Sequence, residues 1–163
     1  MASLVLTTTN GSVTLTGENG SGNANVTIPR AGVVATSHTG DVDITGEFIA
    51  DSYNESYAAV TSTTNATTVD CEAGNTFMHT LTENTTFTFS NPPASGTAYT
   101  MTVEIIQDAS ASGYTVTWPT FVDWPSATAP TLTATASAVD VFVFTTRDGG
   151  TTWYGFTAGQ AIA

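Results

Sequence analysis

Apolar and polar residues alternate with a period of two along much of the chain beyond residue 58. Phe77, His79 and Leu81 are separated by polar neighbours, and Phe87 and Phe89 repeat the pattern a few residues later. Successive side chains of a β-strand point to opposite faces, so this period places the apolar residues on one side. The pattern therefore predicts short strands that each bury one face.

Two further stretches strengthen the β prediction. YTMTVEIIQD places Met101, Val103 and Ile105 on one face of a strand, whereas VDVFVF is apolar on both faces, as expected of a central sandwich strand. The run then continues into Asp148-Gly149-Gly150 and returns as TTWYGF. Glycine at such a position favours a tight turn, so a hairpin is predicted here.

The first 57 residues have a different character. LVLTTT and SVTLT flank Asn10-Gly11, a hairpin signal, but these and the following strand-like stretches carry few large apolar side chains. We therefore expect residues 1–57 to form a short-stranded β arm for attachment or trimerisation. Residues 58–163 have the spacing of strands and turns that is typical of a β-sandwich, and we predict a jelly-roll-like arrangement.

Two Trp-Pro pairs stand six residues apart in VTWPTFVDWP. Proline cannot donate to a strand ladder, so each pair marks the end or edge of a strand. Trp118 ends an alternating apolar run, which predicts a place in the core. Trp124 follows Asp123 in a connection, where core packing competes with an interface or ligand contact, and Tyr154 is the second candidate for such a contact. The predicted structural core comprises Phe77, Leu81, Phe87, Val103, Trp118, Val141, Val143 and Trp153.

The composition agrees with an all-β protein and excludes several functions. Threonine occurs 35 times, and its β-branched side chain suits strands better than helices. The net charge is −12 and only Arg30 and Arg147 are basic, so neither nucleic acid nor an anionic membrane surface is an expected partner. Apolar runs are too short for membrane insertion. The single Cys71 can form no internal disulfide, and the first residues lack signal-peptide features, which together favour the cytoplasm.

The candidates for catalysis and metal binding are weak. Cys71 and His79 are the only Cys–His combination with neighbouring strand-like segments, but no catalytic signature surrounds either residue. Asp41 and Asp43 share a face of one predicted strand, yet two carboxylates do not make an ordered calcium loop. We therefore expect no enzyme activity, no catalytic residue, no metal site and no cofactor.

Three long segments carry a resemblance to a known group of proteins: HTLTENTTFTFSNPPASGTAYT, VTWPTFVDWPSATAPTLTA and VDVFVFTTRDGGTTWYGFTAGQ. From about residue 58 onward the chain resembles a module of tailed-bacteriophage virion proteins, notably those of phages that infect aquatic bacteria. The earlier stretch GSVTLTGENGSGNANVTIPRAGVVAT is similar to a threonine-rich strand–loop–strand unit of phage tail fibres.

The resemblance implies a non-enzymatic virion component that is usually a homotrimer. The short chain favours a capsid decoration (cement) protein or a short head fibre on the virion surface, assembled in the host cytoplasm. Its partners would then be its own copies and the major capsid protein or other virion proteins. The alternative is a tail-fibre receptor-binding protein that recognises a host surface glycan. A depolymerase, which would need paired carboxylates, is the least favoured of the three.

Overall fold

The computed structural model describes residue 47 and residues 49–162, so most of the expected N-terminal arm lies outside the described residues. The described part is all-β, with two single-turn 3₁₀ helices, Cys71–Ala73 and Pro125–Ala127. The sequence-based boundary between residues 57 and 58 falls inside the first strand. The nine strands are β1 (Tyr57–Ala59), β2 (Ala66–Asp70), β3 (Thr76–Thr80), β4 (Thr85–Ser90), β5 (Tyr99–Ile106), β6 (Val116–Thr117), β7 (Val122–Asp123), β8 (Val139–Thr146) and β9 (Trp153–Ile162).

The strands form two sheets around a common core. The large sheet has the order β1-β3-β5-β8-β9-β7, and the small sheet has the order β2-β4-β6. From β1 to β6 the chain alternates between the two sheets. Each full turn of this path therefore adds one strand to the large sheet and one to the small sheet. The strands added in this way run parallel, with Ala66 opposite Thr86 and Thr85 opposite Val116 in the small sheet.

The jelly-roll arrangement is not confirmed. A jelly roll is built from antiparallel neighbours, whereas five of the seven strand pairings here are parallel. Only β5 with β8 and β8 with β9 pair in antiparallel fashion. The second of these pairs contains the predicted hairpin: the chain turns at Gly149 and Gly150, whose φ angles are +73° and +78°.

Large side chains from both sheets fill the core. Val69 and Phe87 of the small sheet and Phe77 and Phe142 of the large sheet are fully buried. Of the residues predicted for the core, those that are buried are Phe77, Leu81, Phe87, Val103, Trp118 and Trp153.

Val141 and Val143 do not belong to the buried face of β8. That face carries Phe142 and Phe144, while the two valines are half-buried on the opposite, outward face. Asp140 also points inward, because the surrounding amides satisfy its carboxylate: Asp140 Oδ2 accepts from the Thr133 amide at 2.7 Å and Oδ1 from the Ala161 amide at 3.0 Å. The prediction that Val141 and Val143 belong to the core is therefore wrong, because the phenylalanines of β8 face the core and the valines face outward.

Threonine side chains pair across neighbouring parallel strands of the small sheet. The hydroxyls of Thr67 and Thr85 lie 2.8 Å apart in the core, and those of Thr68 and Thr88 lie 3.0 Å apart on the surface. A buried hydroxyl costs free energy unless it is hydrogen-bonded. The pairing explains how a threonine-rich sequence places some of its hydroxyls inside the fold.

Candidate functional site

The outward surfaces of the two sheets differ in chemistry. On the small sheet the exposed strand positions are mainly threonines, with Thr68 on β2, Thr86 and Thr88 on β4 and Thr117 on β6. Hydroxyl groups of this kind are well solvated, so this surface has no need of a covering partner.

The outward surface of the large sheet carries exposed and half-buried apolar side chains among the outward threonines Thr76, Thr100, Thr102 and Thr145. Tyr57 on β1 and Phe156 on β9 are exposed, the latter to 48 %. Half-buried apolar side chains lie between them on β3, β5 and β8. We call this surface the apolar outer face, and it comprises Tyr57, Met78, Ile106, Val139, Val141, Val143, Tyr154, Phe156 and Ile162.

Strand register holds most of these residues together. Val143 lies opposite Phe156, Val139 opposite Ile162, and Ile106 opposite Val139. Side chains directly opposite each other on neighbouring strands have Cβ atoms about 4.5–5.5 Å apart. The β8 and β9 residues of the face, together with Ile106, are therefore neighbours and not single exposed residues of the kind common on any protein. Tyr57 and Met78 lie apart from them, because Glu104 is opposite Met78 and Thr102 is opposite Val143.

Charged residues are few on this face. Glu104 projects outward from β5 opposite Val141. Asp123 lies beside Tyr154 at the β7 edge, and the guanidinium of Arg147 is 6.0 Å from the centre of the Tyr154 ring. This distance is at the outer limit of a cation–π contact, so Tyr154 links the apolar patch to a polar margin.

The two residues predicted as interface or ligand contacts lie on opposite faces of the sheet. Tyr154 is 39 % exposed on the outer face. Trp124 is half-buried and packs inward, with its ring centre 5.7 Å from that of Trp118 and 5.6 Å from that of Phe144. Sequence reasoning could not locate Trp124, because its place depends on the parallel pairing of β7 with β9.

Gly155 provides the space that Trp124 occupies. A Cβ atom at Gly155 would lie 2.9 Å from Val122 Cγ1 and 3.0 Å from the Trp124 ring, closer than real Cβ contacts. We expect Gly155→Ala to lower the free energy of unfolding by about 1–3 kcal/mol through overpacking, measured by urea denaturation.

Gly159→Ala is the matched control on the same strand, since the new Cβ would meet only the flexible end of Ile162 at 3.0 Å. The loss should be smaller than for Gly155→Ala. Equal losses for the two variants would show that the Trp124 ring does not require a glycine at position 155.

Cys71 and His79 do not form a catalytic pair. Burial raises the pKa of the Cys71 thiol to about 11, an effect that the Tyr99 hydrogen bond reduces and the Asp70 charge reinforces, so the thiol is protonated at neutral pH. His79 is 1 % exposed and its Nδ1 donates to the carbonyl of Val60 at 2.9 Å. Cys71 therefore offers no thiolate at neutral pH. Among the described residues His79 Nε2 has no hydrogen-bond partner, but it is enclosed in the core beside the ring of Phe87.

Tyr99 has a structural environment rather than a reactive one. Its hydroxyl donates to the carbonyl of Gly74, and burial, together with the neighbouring Cys71, raises its pKa. The ring also packs edge-on against Trp153, with centres 6.0 Å apart. Tyr99 therefore fixes the loop before β3 to the core.

A cavity of about 320 Å³ opens near the end of β5. Its lining includes the apolar side chains of Tyr114, Val116, Pro130 and Leu132, and the amide of Gln107. The Gln107 amide is already used within the fold, since Nε2 donates to the carbonyls of Tyr114 and Thr133 at 3.4 and 3.3 Å. These two donor hydrogen bonds leave the Gln107 Nε2 group poorly placed to orient a ligand.

The described residues show neither a metal-binding cluster nor a membrane-spanning helix. Residues 47 and 49–162 contain no group of three or more His, Cys, Asp or Glu side chains arranged to hold a metal ion. Across the same residues, no helix has both the length and the apolar character needed to cross a membrane.

Comparison with known proteins identifies no relative. No protein-family model matches the chain, and no curated protein or solved structure is significantly similar to it. Evidence for a function therefore comes from the sequence segments and from the geometry of the two sheets.

Proposed function

We propose that the protein is a non-enzymatic structural protein of a bacteriophage virion. In this proposal it is a homotrimer that decorates the capsid as a cement protein or forms a short head fibre. Its partners are its own copies and the major capsid protein or another virion protein. Residues 1–57 serve as the arm for attachment or trimerisation, and assembly takes place in the host cytoplasm before the protein reaches the virion surface.

The observation that carries the proposal is the difference between the two sheet surfaces. The small sheet presents threonine hydroxyls, while the large sheet presents Tyr57, Val143, Tyr154 and Phe156. Contiguous exposed apolar surface marks a contact with another protein, and a protein whose function is assembly requires such a surface. The three segments that resemble phage virion proteins are the reason for proposing that this contact forms in a virion.

The proposal predicts that the protein stabilises capsids. Purified protein is added to particles of the encoding phage that were assembled without it, and the temperature of capsid disruption is measured. We expect saturable binding and an increase in that temperature, because a ligand that binds only the intact state stabilises it. Unchanged capsids that fail to bind the protein would contradict a role in decoration.

A receptor-binding role is the second candidate, and Tyr154 is the observation that favours it. Its exposed ring lies between Asp123 and Arg147, and an aromatic ring beside polar groups is suited to stacking on a sugar. Binding to host surface glycans that is lost in Tyr154→Ala, together with no effect on capsids, would select this candidate.

A further inference from the structure

We infer that the apolar outer face of the large sheet is the contact surface between copies of this chain. The inference rests on the proposed homotrimer and adds what that proposal leaves open, namely which surface the copies share. The occupant of the face is a second copy of the chain. Three observations on the described residues support this choice: the placement of apolar residues, the distribution of charge and the size of the face.

The placement of apolar residues is selective. In a chain with 35 threonines, the outward positions of β2 and β4 are filled mainly by threonine. The outward positions of β8 instead read Val139, Val141 and Val143 before Thr145. Because both sheets belong to one fold, the small sheet is an internal reference for a solvated surface. β5 resembles this reference, with Thr100, Thr102 and Glu104 outward. The departure is therefore concentrated on β8 and β9, and it indicates that the surface of these two strands is covered.

The distribution of charge favours a copy of the same chain. Residue 47 and residues 49–162 contain eleven Asp or Glu residues and one Arg or Lys, Arg147. Copies with this charge repel one another wherever their carboxylates meet. Among the described residues, the outward positions of β1, β3, β5, β8 and β9 carry one carboxylate, Glu104, and Asp123 adds a second at the β7 edge. A basic partner would bind the acidic surfaces elsewhere on the molecule. Two acidic copies, in contrast, can approach each other only through a surface with few carboxylates, such as the apolar outer face.

The size of the face is sufficient for a specific contact. β5 and β8 have eight residues each and β9 has ten, so the face is about 27 Å long at about 3.4 Å per residue. The five strands β1, β3, β5, β8 and β9 span about 24 Å at about 4.8 Å per strand. Allowing for the shorter strands, the projected area is roughly 500 Å² per copy, so two copies would bury about 1,000 Å² in total, the lower limit for a specific interface.

The test places a charge on the β9 side of the face, beside β8. Phe156→Asp introduces a carboxylate opposite Val143, and Thr88→Asp introduces the same charge at an exposed strand position of the small sheet. Native mass spectrometry and light scattering give the number of chains. We expect Phe156→Asp to weaken self-association by at least about 100-fold, since like charges at a contact cost several kcal/mol. Thr88→Asp should keep the wild-type mass.

A second variant pair addresses the case in which Phe156→Asp does not fold, which circular dichroism would reveal. Phe156→Cys and Thr88→Cys are each treated with a bis-maleimide cross-linker. The native Cys71 is buried and does not compete. Covalent dimers from Phe156→Cys and none from Thr88→Cys support the inference.

The outcomes separate the inference from the proposed function. Wild-type assembly that persists in a folded Phe156→Asp variant, or the absence of cross-links at position 156, would show that the copies meet elsewhere, and the homotrimer would stand. A wild-type mass of two chains that is lost in Phe156→Asp would support the contact surface and contradict the trimer. A wild-type protein with the mass of one chain at every concentration would overturn both.

Discussion

Trp118→Ala is expected to lower the free energy of unfolding by about 3–5 kcal/mol, the range for removing a large aromatic side chain from a core. Trp118 is 8 % exposed, and its ring bridges the two sheets. It lies 5.1 Å from the ring centre of Phe87 on β4, and 5.2 and 5.1 Å from those of Phe142 and Phe144 on β8. Its removal would leave a cavity where the sheets meet. Urea denaturation followed by circular dichroism measures the loss.

Tyr154→Ala is the control for this prediction. Both substitutions remove an aromatic ring, but Tyr154 is exposed on the outer face, so its effect on the unfolding of a single chain should be much smaller. Measurements at low protein concentration keep self-association out of the comparison. Similar losses for the two variants would contradict the position of Trp118 between the sheets.

Asp140→Ala is expected to cost about 2–4 kcal/mol, although it removes a charge from an acidic chain. The carboxylate is 2 % exposed. It accepts hydrogen bonds from the amides of Thr133 and Ala161 and, at 3.2 Å, from Gln160 Nε2. Alanine would leave the partly buried amides of Thr133 and Ala161 without this acceptor, at a cost of about 1–3 kcal/mol each. Gln160 Nε2 would keep its hydrogen bond to the carbonyl of Thr131 at 2.7 Å. Asp123→Ala, at an exposed position of β7, should change stability by no more than about 0.5 kcal/mol.

The same carboxylate predicts a dependence of stability on pH. Burial alone would raise the pKa of Asp140, but the hydrogen bonds from Thr133, Ala161 and Gln160 outweigh it and hold the pKa below its usual range. A carboxyl group whose pKa is lower in the folded state stabilises the fold above the unfolded value, about 3.9. That contribution is lost as the pH falls through the folded pKa. The difference in stability between wild type and Asp140→Ala should therefore shrink below about pH 4, and a constant difference would contradict this account.

Alternation along the chain was enough to predict an all-β protein, because a period of two has no other common explanation in short segments. The hairpin at Gly149 and Gly150 was also predictable, since its signal is local. Strand direction was not. Alternating residues are the same in parallel and antiparallel neighbours, and the path from β1 to β6 is set by contacts between residues about 20–30 positions apart.

The faces of β8 could not be assigned from VDVFVF, because both phases of the strand are apolar. Asp140 lies in the same phase as Phe142, and a carboxylate normally indicates the solvent side. Its partners are the amides of Thr133, seven residues earlier in a loop, and Ala161, 21 residues later on β9, and the fold is needed to bring both to the carboxylate. The apolar outer face was missed for the same reason. The sequence did contain a signal for this face. Phe142 and Phe144 are large enough to fill the core without the alternating valines of the same strand, so these valines could have been assigned to the outward side.

Trp124 was uncertain for a different reason. Trp124 lies in a connection next to Asp123. The alternation of apolar and polar residues does not extend through a connection, so it gives no information about the side to which the Trp124 ring points. Its inward position depends on Gly155, which lies 31 residues later on β9. Tyr154 was identified as a contact candidate from the sequence, and the structure places it at the margin of the face through which we propose that the copies meet.

The most direct test of the account is the native mass of the wild-type protein over a range of concentrations. We predict a particle of three chains of 16.8 kDa each, that is 3 × 16.8 = 50.4 kDa, stable at micromolar concentration. Such a mass would show the homotrimer that the proposed virion role requires. The apolar outer face would then be the proposed contact between its chains. A mass of 16.8 kDa at all concentrations would contradict the homotrimer and leave the apolar outer face without its proposed partner.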